Sequence, residues 1–254
     1  MQEVIVLFSI LMVGTILYFT FKKKAPLSQP GLEVERKILQ DEVAFYRELT
    51  PGEKLRFEDA VRNFLAKVKI TGVKTKVEDI DSVFVAAAAI IPVFAFKGWE
   101  YRNINEVLLY PDSFSKEFQQ SGHGRNVLGM VGEGSMQHMM ILSRRELRDG
   151  FFNETDKSNT AIHEFVHLID KMDGDTDGLP EVLMSHKYAL PWLQLIHEKI
   201  QEIRAGESDI DPYGSTNKAE FLAVVAEYFF KQPERMEEEH PELYKMLVQI
   251  FEPQ

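Results

Sequence analysis

Two histidines four residues apart bracket a glutamate in His163-Glu164-Phe165-Val166-His167. On a helix, residues four apart project from one face, so two imidazoles can grip a single tetrahedral zinc ion. Glu164 falls beside that pair. There a carboxylate can take a proton from an activated water and pass it to a leaving amine. The chemistry this pattern predicts is metal-assisted hydrolysis of a peptide bond. The flanking residues Ile162, Phe165, Val166, Leu168 and Ile169 are apolar. They predict a buried helix rather than a solvated one that happens to carry two histidines.

A catalytic zinc needs a third protein ligand and one open position. Asp173 lies six residues beyond His167, the position from which some such enzymes recruit a ligand. They do so after a glycine that breaks the helix, and here Asp170 stands in its place. A left-handed turn is costly for aspartate, which disfavours Asp173. Asp170 reads instead as a residue behind the ligands or facing the substrate. The second class of candidate is a glutamate on a later helix. Glu220 and Glu227 are seven apart, nearly two turns, with Ala223 and Val224 between them on the same stripe. Two carboxylates bracketing small apolar residues face inward and need a counter-charge, which a zinc ion or a histidine standing behind the metal ligands supplies. Spacing alone does not choose between the two glutamates.

Composition limits the alternatives. The chain has 254 residues, no cysteine and a net charge of −11. Without cysteine there is no disulfide scaffold, no thiolate zinc site, no iron–sulfur cluster and no thiol nucleophile. The acidic balance argues against nucleic acid as a partner, because phosphates require a basic face. With 44% hydrophobic and 11% aromatic residues the chain can bury a sizeable core.

Residues 4–21 are uncharged and mostly apolar. As a helix they would span about 27 Å, close to the thickness of a bilayer's hydrocarbon core. Lys22, Lys23 and Lys24 follow at once, and only Glu3 among charged residues precedes the run. The expected organisation is a transmembrane anchor over 1–24, a linker over 25–31 and a peptidase domain over 32–254. The lysines place that domain on the cytoplasmic side. A cleaved signal peptide is the rival reading; it expects a basic start and a small-residue cleavage site, whereas this run ends in aromatics and lysines.

The elements that must position the motif can be traced along the chain. Residues 32–49 predict a helix or helix pair. Thr50-Pro51-Gly52-Glu53 has capping-box spacing with proline at the first helical position. Short strands are expected at 73–77, 83–85, 107–110 and 139–142, with 86–91 ambiguous between helix and strand. After residue 150 the pattern turns helical, over 159–172, 191–203, 217–230 and 241–251. Helices and strands in separate blocks predict an α+β fold, mostly helical, with a small sheet.

The chain also resembles the Mlc titration factor A family of bacterial zinc peptidases. The resemblance is carried by Phe64-Leu65-Ala66-Lys67, the alanine-rich stretch 85–92, Val107-Leu108-Leu109-Tyr110-Pro111, the long block 162–180 around the motif, Tyr213, and the block 219–230. It implies a zincin-like metallopeptidase domain with aminopeptidase-like activity and a distant similarity to gluzincins. Carried over by position, it makes His163, His167 and Glu220 the ligands of Zn2+ and Glu164 the general base. It gives Tyr213 the place of a hydrogen-bond donor to the oxyanion. A further histidine of some members falls near His123, with His138 competing. Residues 132–136 lack a tryptophan expected there, and a membrane anchor is not general in the family.

The rival function is a membrane-tethered, zinc-containing binding module that sequesters a transcription regulator. An intact Glu164 argues for peptide or protein substrates instead, because a structural zinc has no use for that carboxylate. His186, His197 and His240 read as surface histidines, the methionines of 136–140 as packing, and Glu237 to Glu239 as a solvated charge run. The aspartates at 170, 173, 175 and 177 resemble a calcium loop but lack the spacing and closing glutamate of one.

Overall fold

A computed structural model describes residues 31–115, 127–132 and 134–253. The expected anchor over 1–24, nearly all of the linker and His123 lie outside these residues. Among the described residues no helix is long and apolar enough to cross a membrane. The architecture is α+β and mostly helical.

The first helices are α1 (Leu32–Glu42), α2 (Ala44–Glu48) and α3 (Pro51–Lys67). The helix pair is therefore split at Val43. Helix α3 starts as its sequence dictates: Thr50 accepts from the Glu53 amide while Glu53 accepts from the Thr50 amide at 3.0 Å. Strand β1 (Lys69–Gly72) leads to α4 (Asp79–Ile90). This corrects two expectations. The strand lies a few residues before 73–77, and 83–85 belongs to a helix. Helix α4 is buried from Asp81 to Ile90, so it has no polar face, and the valines in it mimic a buried strand.

Strands β2 (Glu106–Tyr110), β3 (Gly129–Val131) and β4 (Met139–Ser143) complete a four-stranded sheet of order β1-β2-β4-β3. β1, β2 and β4 are parallel, and β3 runs antiparallel to β4 at the edge. The pleat sorts side chains between two faces. Val107, Leu109, Met140 and Leu142 join the main core, while Tyr110, Ile141 and Phe114 form a small cluster on the other face.

Helix α5 (Arg144–Phe152) follows β4 and is fastened to α4 through Asp81. That fully buried carboxylate lies 2.7 Å from Arg148 Nε and 3.2 Å from Arg144 Nε. The remaining helices are α6 (Thr160–Asp170), α7 (Ala189–Ala205), α8 (Lys218–Lys231), α9 (Pro233–Glu239) and α10 (Pro241–Phe251). The motif helix α6 is central. Its Phe165 ring packs edge-on against Phe64 from α3 and at a tilt against Tyr101 from the chain before β2.

Candidate metal centre

Helix α6 begins at Asn159, a buried N-cap whose side-chain oxygen accepts from the amides of Ala161 and Ile162, both at 3.1 Å. The same side chain donates to the carbonyl of Gly150 in α5. The first turn is thus locked before the histidines emerge. Helix α8 packs against α6. Its own N-cap, Asn217, accepts from the Glu220 amide at 2.9 Å, which fixes the turn that carries Glu220.

The two helices bring three donor atoms together. Glu220 Oε2 lies 3.0 Å from His163 Nε2 and 3.2 Å from His167 Nε2, and the two Nε2 atoms are 3.1 Å apart. Tetrahedral zinc with ligands at its usual bond lengths has donors about 3.3 Å apart. The triangle therefore matches the ion's size, and two imidazoles with one carboxylate match its chemistry. Among the described residues this is the one group of three or more such side chains whose ligating atoms converge.

Glu227, the other inward glutamate, occupies a different place. Its Oε1 is 2.6 Å from His163 Nδ1, and its Oε2 accepts from the Asn159 amide at 2.5 Å. It holds the imidazole from behind and ties it to the N-cap of its own helix. Burial disfavours a charged His163, but Glu220 and Glu227 on its two nitrogens outweigh that and raise its pKa. Burial likewise pushes Glu220 up, yet the two imidazoles win and hold it far below the usual carboxylate range.

Glu164 is 7% exposed and lines the cleft beside this triangle. Burial raises its pKa, the histidines oppose the rise, and Glu220 and Glu227 add to it. Tyr213 stands on the loop between α7 and α8, its ring 5.9 Å from that of His163. The Asp211 carboxylate accepts from its amide, and Pro212 begins the short turn that presents it. Its hydroxyl interacts with Glu220. Burial and that carboxylate together push its pKa to about 12, so it stays a donor at neutral pH.

Several expectations fare differently. Asp173 does not approach the histidines; it accepts from the amides of Asp175 and Glu181. Asp170 does not line the cleft, so it does not face a substrate there, but it is close enough to His167 to feel its charge. It is fully buried and accepts from the Gly178 amide at 2.9 Å, which folds the loop back under α6. Trp192 pins the same loop by donating to the Gly178 carbonyl. His138 has a left-handed backbone, and its carbonyl receives the amide of Asn105; it stands outside the convergent group. His240 is not a surface histidine. It is 8% exposed, with Nε2 2.7 Å from Asp209.

Asp209 itself escaped the sequence reading. It joins Lys157, Tyr228, Arg235 and His240 at one carboxylate, and so clamps the loop that carries Tyr213. Its only sequence signal is an aspartate between Gly206 and Pro212.

The cleft measures about 1510 Å³ and is lined by β3, by α6 and by the loop bearing Tyr213. The model of a family described as glucose-regulated metallo-peptidase M90 matches residues 20–252. An uncharacterized protein of Synechocystis sp. is 28% identical over 245 residues, covering 92% of this chain and 89% of its own length. Mlc titration factor A of Pectobacterium atrosepticum is 29% identical over 179 residues, 63% of this chain and 64% of that protein. Mlc titration factor A of Escherichia fergusonii is 28% identical over 218 residues, 80% of each chain.

Proposed function

The chain belongs to the glucose-regulated metallo-peptidase M90 family, and on that premise we propose that it is a zinc-dependent peptidase with an aminopeptidase-like reaction. The observation that carries the reading is the convergence of His163, His167 and Glu220 on a triangle of zinc dimensions, with Glu164 beside it in an open cleft. Zinc held by those three residues would polarise the scissile carbonyl and lower the pKa of water to roughly 7.

The protein's own groups do the rest. Glu164 takes a proton from the attacking water as the new C–O bond forms. It then hands that proton to the amine nitrogen as the C–N bond breaks. Tyr213 turns its hydroxyl from Glu220 to the developing oxyanion, a donor whose worth grows as negative charge accumulates there. Glu227 keeps His163 oriented through Nδ1, leaving Nε2 for the metal.

The test is Glu164→Gln. The variant should retain zinc at the wild-type ratio while cleavage of a fluorogenic peptide library falls on the order of 1,000-fold. Unchanged turnover would sink the mechanism.

The apolar run at residues 4–21 with its three lysines supports a membrane tether with the peptidase domain facing the cytoplasm. Intact-mass measurement of the membrane-extracted protein should find the first 24 residues present; their loss would point to a cleaved signal and an exported enzyme.

The name Mlc titration factor A, carried by two of the three relatives described above, favours a second reading: a tethered module that sequesters a transcription regulator. Chelation discriminates the two. It abolishes peptide cleavage in the first, whereas in the second there is no cleavage to abolish and binding of the regulator is the activity to follow.

A further inference from the structure

Edge strand β3 runs along the motif helix with Gly129 against Glu164. A Cβ on Gly129 would sit 2.6 Å from Glu164 Cγ, 2.7 Å from Oε1 and 2.9 Å from the carboxyl carbon. Non-bonded carbons rest about 3.5–4.0 Å apart, so nothing larger than hydrogen fits while the carboxylate keeps its place. The pleat dictates this direction. Gly129 pairs with Leu142 and Val131 with Met140, on the face that meets the main core. Met130 turns to the opposite face with Ile141. Gly129 is not one of the glycines with positive φ, so the backbone does not require glycine here. A glycine inside a strand weakens it and often marks a close approach.

We propose that Gly129 is a positioning residue for the hydrolysis: its missing side chain is the space in which the Glu164 carboxylate stands. This rests on the reading of Glu164 as general base. The atoms that a Cβ would displace are those of the Glu164 side chain from Cγ outward, not backbone. Alanine at 129 is therefore accommodated by moving the carboxylate, at the expense of the reaction rather than of the fold.

The experiment is Gly129→Ala in the full chain, alone and combined with Glu164→Gln. The single variant should melt at or slightly above the wild-type temperature and bind zinc as the wild type does. Its kcat on the peptide library should fall on the order of 100-fold, with KM little changed, as expected when a reacting group is moved by about 1 Å. In the Glu164→Gln background the same substitution should leave residual turnover unchanged, because the group it acts through is already gone. A crystal structure of metal-free Gly129→Ala should show the Glu164 carboxylate displaced from residue 129. Wild-type turnover in Gly129→Ala, with Glu164→Gln inactive, would overturn the inference and leave the general base standing. So would early melting, loss of zinc, or an equal loss in both backgrounds, each of which means that glycine serves the fold or the metal. Full activity of Glu164→Gln would overturn the underlying reading instead.

Discussion

Replacing Glu227 by glutamine separates the two inward glutamates by their consequences. In the wild type one carboxylate accepts from both His163 Nδ1, at 2.6 Å, and the Asn159 amide, at 2.5 Å. Glutamine offers one oxygen and one NH2 group. It can satisfy one of those donors and must point its own hydrogens at the other. A charge-assisted hydrogen bond is lost, worth about 1.5–3 kcal/mol, and a donor is left unsatisfied in a site that is 7% exposed. Part of this cost falls on the fold and part on the imidazole's ability to hold a metal. Substituting such a supporting partner weakens metal binding about 10–100-fold, or about 1.4–2.7 kcal/mol. Zinc affinity measured by competition with a chromophoric chelator should therefore drop within that range, with the metal still bound at saturation. Glu220→Ala is the comparison: it removes a corner of the triangle and should lose zinc outright. Wild-type affinity in Glu227→Gln would refute the orienting role. Loss of zinc in Glu227→Gln but not in Glu220→Ala would exchange the two assignments.

Tyr213→Phe should lower kcat on the order of 100-fold while leaving zinc stoichiometry and melting temperature unchanged, the pattern of a lost oxyanion donor; equal kcat would remove Tyr213 from the mechanism. Glu35 is 1% exposed, one of its oxygens has no hydrogen-bond partner, and burial, opposed by Arg62, raises its pKa from 4.5 to about 7. Because the folded value lies above the unfolded one, its contribution is complete below about pH 4.5 and is lost as pH rises through about 7. Urea denaturation of wild type against Glu35→Gln should therefore diverge by up to about 3 kcal/mol between pH 5 and 8, the variant gaining at the alkaline end, and parallel curves would contradict it.

The motif, the capping box of α3 and the late helices were readable because each depends on neighbours in sequence. Asn159 and Asn217 cap exactly the helices whose first turns carry His163 and Glu220, and residues of that type announce a helix start locally. Helix α4 was not readable, because a helix buried all round shows no stripe. Glu220 and Glu227 share a face, so their division of labour depends on which nitrogen of His163 each one meets, a relation between two helices that neither helix encodes. The choice between the two readings of Asp170, behind the ligands or facing the substrate, is hidden for a similar reason. The residue's position on α6 is local, but its partner Gly178 arrives only when the following loop folds back. Gly129 leaves no trace at all in a pattern of side chains, since its contribution is the absence of one.

The same geometry bears on the choice between a hydrolase and a structural zinc protein. Structural sites close around the ion with four protein ligands, and catalytic sites stop at three. Among the described residues three donors converge, and their fourth side is the cleft rather than a further histidine or carboxylate. Glu164 and Tyr213 border that open side, one on the motif helix and one on a loop clamped by Asp209. A site meant only to brace two helices would gain nothing from holding a carboxylate in a gap that a single methyl group would fill. Burying a carboxylate opposes folding unless it is paired, so its place in the cleft favours the proposed hydrolysis over a purely structural site.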